Sequence, residues 1–207
     1  MKVVCICGPH NSGKTTLMKR LIEELSQKGL WVSAAKSTKH RDLFLETGRD
    51  SSILVDAGSR EVGVFEPKRT VFFLEGAVSP ELIPFMFTCD VLLLEGFRHS
   101  PFPKIAIYKG DDEDYWRDVD NVVAAVAPPS VSVPWQVPRF LFEDVERIAD
   151  FIRQEAPDFE GVLLEVNGRV VGMKPFVQRL LRDAVMGIVK NLKNTENARQ
   201  VKIRIVL

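Results

Sequence analysis

The chain has 207 residues, enough for one medium domain, or one domain with a small appendage, and long enough to bury a core without disulfide or metal staples. Hydrophobic residues make up 45% and charged residues 27%, which excludes a disordered or fibrous composition. The 28 basic and 28 acidic residues cancel, so no bulk field recommends a nucleic-acid or membrane partner, and neither is expected.

Lys2 to Cys7 opens the chain as a short apolar run with the look of a buried strand. Cys5 and Cys7 lie two apart in it and so share one face; with Cys89 they form neither a C-x-x-C pair nor a metal-ligand spacing, and they read as small buried hydrophobes. This first run is too short for a signal peptide, and charges interrupt every later apolar run before it could span a membrane. The expected location is cytoplasmic.

A helix is predicted over Lys14 to Lys28, with Leu17, Leu21, Ile22 and Leu25 on one face and Gly29 as its stop. Trp31 to Lys36 then reads as a second strand, completing a βαβ unit with parallel strands. Asp50 to Ala57 reads as a helix, Glu61 to Phe65 and Thr70 to Leu74 as strands, and Ser79 to Phe87 as a short helix with Ser79 as its cap and proline at its first position. Core is the expected place of Phe72, Phe73, Phe85 and Phe87. Further strands follow at Asp90 to Glu95, Lys104 to Tyr108 and Asn121 to Ala127, and an amphipathic helix at Phe142 to Gln154. This alternation predicts an α/β domain over 1–157, a P-loop NTPase-type, mainly parallel sheet flanked by helices. Beyond Pro157 the rhythm changes. Asn167-Gly168 between two apolar stretches signals a hairpin, Pro175 to Leu192 a helix, and Val201 to Leu207 a last strand. Residues 158–207 are therefore expected to form a small C-terminal α+β (ββαβ) unit, a marginal core alone.

Gly8-Pro9-His10-Asn11-Ser12-Gly13-Lys14-Thr15 matches G-x-x-x-x-G-K-[ST] in full, with Thr16 after it. Gly8 and Gly13 permit tight bends that turn the amides around Asn11, Ser12, Gly13, Lys14, Thr15 and Thr16 toward one point. Those donors and the positive end of the helix make an anion site. Lys14 supplies charge for the outer phosphates of a nucleotide, and the Thr15 hydroxyl can enter the shell of a Mg²⁺ ion. The motif follows a predicted strand and opens a predicted helix, as this chemistry requires.

A second acid for the metal belongs at the carboxyl end of a neighbouring strand. Asp90 and Glu95 bound one strand at opposite ends, about 16 Å apart at about 3.3 Å per residue, so one ion cannot take both. Glu95 stands at the correct end. Arg98, leaving the sheet just beyond, is a candidate for phosphate or a second anionic substrate, and Lys104 is a similar one.

With these residues in place, the chain resembles the MobB proteins of molybdenum-cofactor biosynthesis over about residues 2 to 155. The discriminating stretch is Leu94-Glu95-Gly96-Phe97-Arg98-His99, followed by Pro101-Phe102-Pro103-Lys104-Ile105; Gly48-Arg49-Asp50-Ser51 resembles a further family motif. The resemblance implies a GTP-binding accessory protein in the formation of molybdopterin guanine dinucleotide, at most a weak GTPase. It implies that Lys14 and Thr15 bind phosphate and Mg²⁺, that Glu95 is the acidic partner, and that Asp50 lines the same site. It also implies a homodimer, with a molybdenum cofactor guanylyltransferase and molybdopterin-containing proteins as partners. Where the family carries Lys-His-x-His-His, this chain reads Lys36-Ser37-Thr38-Lys39-His40. No Asn-Lys-x-Asp motif is present to read a guanine edge, and the loop at Pro128-Pro129 is the place for the base by position alone. Two other readings stand beside this one: a P-loop small-molecule kinase, for which the chain lacks a compact arginine cluster for a lid, and a nucleotide-switched protein-interaction module centred on the tail.

Overall fold

The computed structural model describes residues 1–38, 50–110, 113–195, 198 and 200–205, with backbone alone at 50–52. The contacts divide the chain into two compact units, Met1–Lys36 with Pro80–Leu207, and Ser37–Ser79.

The first unit is built on a six-stranded sheet of β1 (Lys2–Cys7), β2 (Val32–Lys36), β5 (Val91–Glu95), β6 (Lys104–Ile107), β7 (Val122–Val126) and β8 (Arg139–Phe140), in the order β2-β5-β1-β6-β7-β8. Every neighbouring pair in it is parallel. β1 and β5 are buried along nearly their whole length, which is why both read as unbroken apolar runs rather than alternating ones. Helix α1 (Lys14–Gln27) lays Leu17, Met18, Leu21 and Leu25 on one side of the sheet, beside α5 (Val145–Gln154) with Ile148, Phe151 and Ile152. The other side packs Val3, Cys5, Cys7, Leu92, Leu94 and Ala106 against Phe102, Tyr108 and Trp116, the last from the one-turn helix α4 (Glu113–Trp116). Both strand cysteines thus lie buried on one face, as their spacing requires.

The second unit holds α2 (Asp50–Asp56) and a hairpin of β3 (Glu61–Glu66) and β4 (Arg69–Leu74), a separate antiparallel sheet. Phe72 was expected in a core; it is 64% exposed, and its ring meets only the edge of Phe65 at 5.6 Å among the ring contacts of the described residues. A two-stranded sheet has too few layers to cover both its faces.

Several boundaries differ from the expectation. The stretch after Ser79 starts as a 3₁₀ turn (Pro80–Leu82) and becomes α-helical only over α3 (Ile83–Met86), with Pro84 in its first turn. α5 begins at Val145 rather than Phe142, because Asp144 turns the chain back, its carboxylate accepting from Leu141 N. β8 and α4 are too short to carry a period. In the tail, β9 (Glu165–Val166) and β10 (Arg169–Val170) pair across Asn167-Gly168, whose φ of 52° and 73° fit a type I′ turn. Helix α6 (Pro175–Val189) follows and buries Val189 alone. The strand expected over Val201–Leu207 does not form at 201–205, the part of it that is described.

Candidate functional site

The site forms at the carboxyl ends of β1, β5 and β2. In register, Glu95 stands beside Ile6 on one side and Lys36 on the other. One residue past β1 the chain enters the glycine loop. Asn11 (φ 57°) and Gly13 (φ 98°) take left-handed backbone that turns the chain into α1. Gly8 and Gly13 are both needed for room. A Cβ on Gly8 would sit 2.5 Å from Ser12 Oγ and 3.2 Å from Ile107 O, and one on Gly13 would sit 3.0 Å from two carbons of the Phe142 ring.

Ser12 is buried, and its hydroxyl has no hydrogen-bond partner among the described residues. A buried polar atom without a partner calls for an explanation, and a ligand oxygen at the loop would supply one. Lys14 folds back over the loop, donating to Gly8 O at 2.9 Å and Pro9 O at 2.6 Å. Burial lowers its pKa, while the charge of Glu95 opposes that shift. Thr15 Oγ1 donates to Glu95 Oε2 at 2.7 Å, and Lys36 Nζ lies 2.7 Å from Glu95 Oε1. Burial pushes the Glu95 carboxyl up, but the hydrogen bonds from Lys36 and Thr15 and the charges of Lys36 and Lys14 outweigh it and hold the group below its ordinary value. A hydroxyl and an ionised carboxylate in contact at the start of a helix are the hard oxygen donors that Mg²⁺ takes, so these residues fit the ion. Thr16 is exposed in the first turn of α1.

Arg98 is less free than its position suggested. Its guanidinium lies 4.9 Å from the centre of the Tyr115 ring, Nη1 donates to Tyr115 O at 3.1 Å, and Nε donates to His99 Nε2 at 2.7 Å. Tyr115 in turn accepts from Gly8 N through its hydroxyl at 3.2 Å, so the loop after β5 and the glycine loop are braced by one side chain. Lys104 is fully buried, donating to Ser100 O, Phe102 O and Asp120 Oδ1. It braces the segment before β6 and does not face the glycine loop. The backbone of Asp50 lies in α2 and its side chain is outside the described residues, as are Lys39, His40, Gly48 and Arg49.

Sequence reasoning missed Lys36 as a partner of Glu95, and Tyr115. For Lys36 a signal existed, a lysine at the carboxyl end of a strand next to the acid's strand. For Tyr115 there was none, because its approach to Gly8 spans 107 residues.

A parallel sheet whose inner strand runs through a glycine loop into a helix, with an acid at the end of the adjoining strand, defines the P-loop NTPase type of fold. Within that class the chain belongs to the MobB family: the family model described as molybdopterin guanine dinucleotide synthesis protein B matches residues 3–128. It is 32% identical to the molybdopterin-guanine dinucleotide biosynthesis adapter protein of Haemophilus influenzae, over 75% of this chain and 90% of that one. It is 23% identical to a putative adapter protein of the same description from Methanocaldococcus jannaschii, over 99% of this chain and 97% of that one, so the match includes the tail. The crystal structure of Bacillus subtilis MobB superposes with a TM-score of 0.60 at 25% identity, covering 76% of this chain and 99% of that one.

Proposed function

We propose that the chain binds GTP with Mg²⁺ at Gly8–Thr16 and serves as an accessory protein in forming molybdopterin guanine dinucleotide, beside a guanylyltransferase and molybdopterin-containing proteins. The observation that carries the reading is the 2.7 Å contact of Thr15 with Glu95, next to a lysine that occupies loop carbonyls and a buried serine hydroxyl without a partner. The loop amides and Lys14 would hold the phosphates. Thr15 and Glu95 would hold the ion, which neutralises phosphate charge when bound. Tyr115 keeps the start of the loop in place through Gly8. The guanine dinucleotide in the family's description supports a guanine nucleotide, and the relatives' names support the pathway.

Turnover is expected to be slow, because Glu95, the carboxylate in contact with Thr15, is given to the ion rather than to an attacking water. A homodimer in the cytoplasm is the proposed state. The exposed rings of Phe65 and Phe72 on the hairpin are apolar surface of the kind that association covers.

The test is a melting series with GTP, ATP or no nucleotide, each with Mg²⁺, on the wild type and Lys14→Ala. Ligand at a hundred times its Kd adds about 2.7 kcal/mol, or roughly 5–10 °C for a chain of this size. GTP should give the larger shift and the variant should lose it. Equal shifts with ATP would remove the guanine assignment; no shift with either would remove the nucleotide.

A further inference from the structure

The zero net charge of the chain conceals a segregation: residues 169–207 hold nine basic and two acidic side chains, and residues 1–168 hold 19 and 26. The same tail leaves its apolar residues in water. Phe176, Leu180 and Ile188 on α6, Leu192 just past its end, and Ile203 and Ile205 further on are each more than half exposed. At about 100° per residue, Phe176, Leu180 and Ile188 span an arc of about 120° on the helix. Arg179 and Lys190, both exposed, border that arc about 40–60° beyond Phe176, and the covered row of Leu181, Val185 and Val189 borders its other side. Arg182 pairs with Glu160 and Asp183, whereas Arg179, Lys190 and Lys193 have no ion-pair partner among the described residues.

We propose that this face of the tail docks on an anionic lipid surface, with Phe176, Leu180 and Ile188 sunk below the head groups and Arg179 and Lys190 on the lipid phosphates. Nothing in this depends on the nucleotide. A helix with large apolar residues on one arc and basic ones beside it lies in the membrane interface, its apolar face about 5–10 Å deep. No helix among the described residues is long and apolar enough to span a bilayer, so the contact is peripheral. The geometry favours a flat surface over a protein groove. A groove encloses the apolar face of a helix from both flanks, and one flank of this arc adjoins the row that α6 already has covered. A bilayer needs only the open arc. Symmetric pairing of two tails is opposed by their like charge, nine basic residues against two acidic on each. A nucleic acid would meet the charges and leave the apolar row in water. Residues 1–168 carry the excess acid, so an anionic surface attracts the tail and repels the remainder, which orients the chain on it.

The experiment is co-sedimentation of the full chain with vesicles of phosphatidylcholine alone, or of phosphatidylcholine and phosphatidylglycerol in equal parts. The wild type should bind the mixed vesicles at least tenfold more tightly, and added salt should weaken that binding. Each basic side chain at an anionic surface contributes roughly fivefold, so Arg179→Gln with Lys190→Gln should weaken it roughly 25-fold. Leu180→Gln with Ile188→Gln should weaken it at least tenfold, which attraction between charges alone would not do. All four side chains are exposed, so both variants should melt within a few degrees of the wild type. No binding to the mixed vesicles, equal binding to both kinds, or unchanged binding in either variant would overturn the proposal. Capture by polyglutamate without capture by vesicles would also overturn it, assigning the face to an acidic protein. So would a dimer in light scattering that Leu180→Gln with Ile188→Gln splits, since a second copy would then cover the row.

Discussion

Gly13→Ala tests the geometry of the phosphate loop most directly, because two separable costs meet at one atom. At φ 98° an L-residue is strained, at about 1–2 kcal/mol. The new methyl carbon would also stand 3.0 Å from Cε2 and Cζ of Phe142, where carbon atoms rest at about 3.5–4.0 Å. Relieving such crowding costs about 1–3 kcal/mol, so the total is about 2–5 kcal/mol. At about 2–4 °C per kcal/mol the melting temperature should fall by roughly 4–20 °C. Urea unfolding should show a lower midpoint at unchanged slope. The two parts separate in a double-mutant cycle. With Phe142→Ala as the background the ring is gone, and Gly13→Ala should retain only the backbone part, giving a coupling of about 1–3 kcal/mol. A cost below about 0.5 kcal/mol would refute the left-handed backbone at residue 13, and a cycle without coupling would refute the ring over the loop.

Tyr115→Phe should destabilise by about 1–3 kcal/mol in urea, because Gly8 N loses its acceptor while the ring under Arg98 stays; a neutral change would remove the brace. Lys104→Met should cost about 1–3 kcal/mol yet leave the GTP melting shift intact, since its donors serve Ser100, Phe102 and Asp120; loss of that shift alone would return it to the binding site. Glu95 has a folded pKa below its ordinary value of 4.5, so its stabilisation is present above that pH and is lost as pH falls through the folded value. The stability difference between wild type and Glu95→Gln, followed in urea from about pH 7 to pH 3, should therefore be level at neutral pH and shrink in acid; growth in acid would contradict it.

The loop and Glu95 were legible in the sequence because each is a local pattern with a fixed geometric meaning. The glycine spacing dictates a bend before a helix, and the length of the run from Asp90 to Glu95 decides which acid reaches the loop's end of the sheet. Lys36 and Tyr115 were not legible as parts of the site. Lys36 meets Glu95 only because β2 lies next to β5 in the sheet, a neighbour relation that strand periodicity does not encode. Lys104 shows the opposite case. It sits inside the family-like Pro-Lys stretch and invited a binding role, yet its ammonium is spent on two carbonyls and one carboxylate. Burial separates those two fates of a lysine, and burial is a property of what surrounds it.

The tail makes the same point about helices. α5 and α6 both carry an apolar stripe, and a stripe of that period predicts a helix with equal force in each. α5 meets α1 across a shared core, so Ile148, Phe151 and Ile152 leave water. In α6, Phe176, Leu180 and Ile188, with Leu192 just past its end, follow one another at steps of four or eight residues, and all are exposed. Period tells which side of a helix is apolar; a facing surface is what turns that side into stability. A second row of α6, with Leu181, Val185 and Met186 half-buried and Val189 buried, does meet a surface, and further groups tie the tail to the sheet domain. Phe159 packs edge-on against Phe85 and Phe102, Asp158 pairs with Lys2, and Gln200 donates to Phe87 O. Ring contacts of this kind contribute about 0.5–1.5 kcal/mol each, and an exposed ion pair less than about 1 kcal/mol. The helix is thus held along Leu181, Val185 and Val189 as well as by those anchors, and its exposed row of Phe176, Leu180 and Ile188 adds to folding only when a surface covers it.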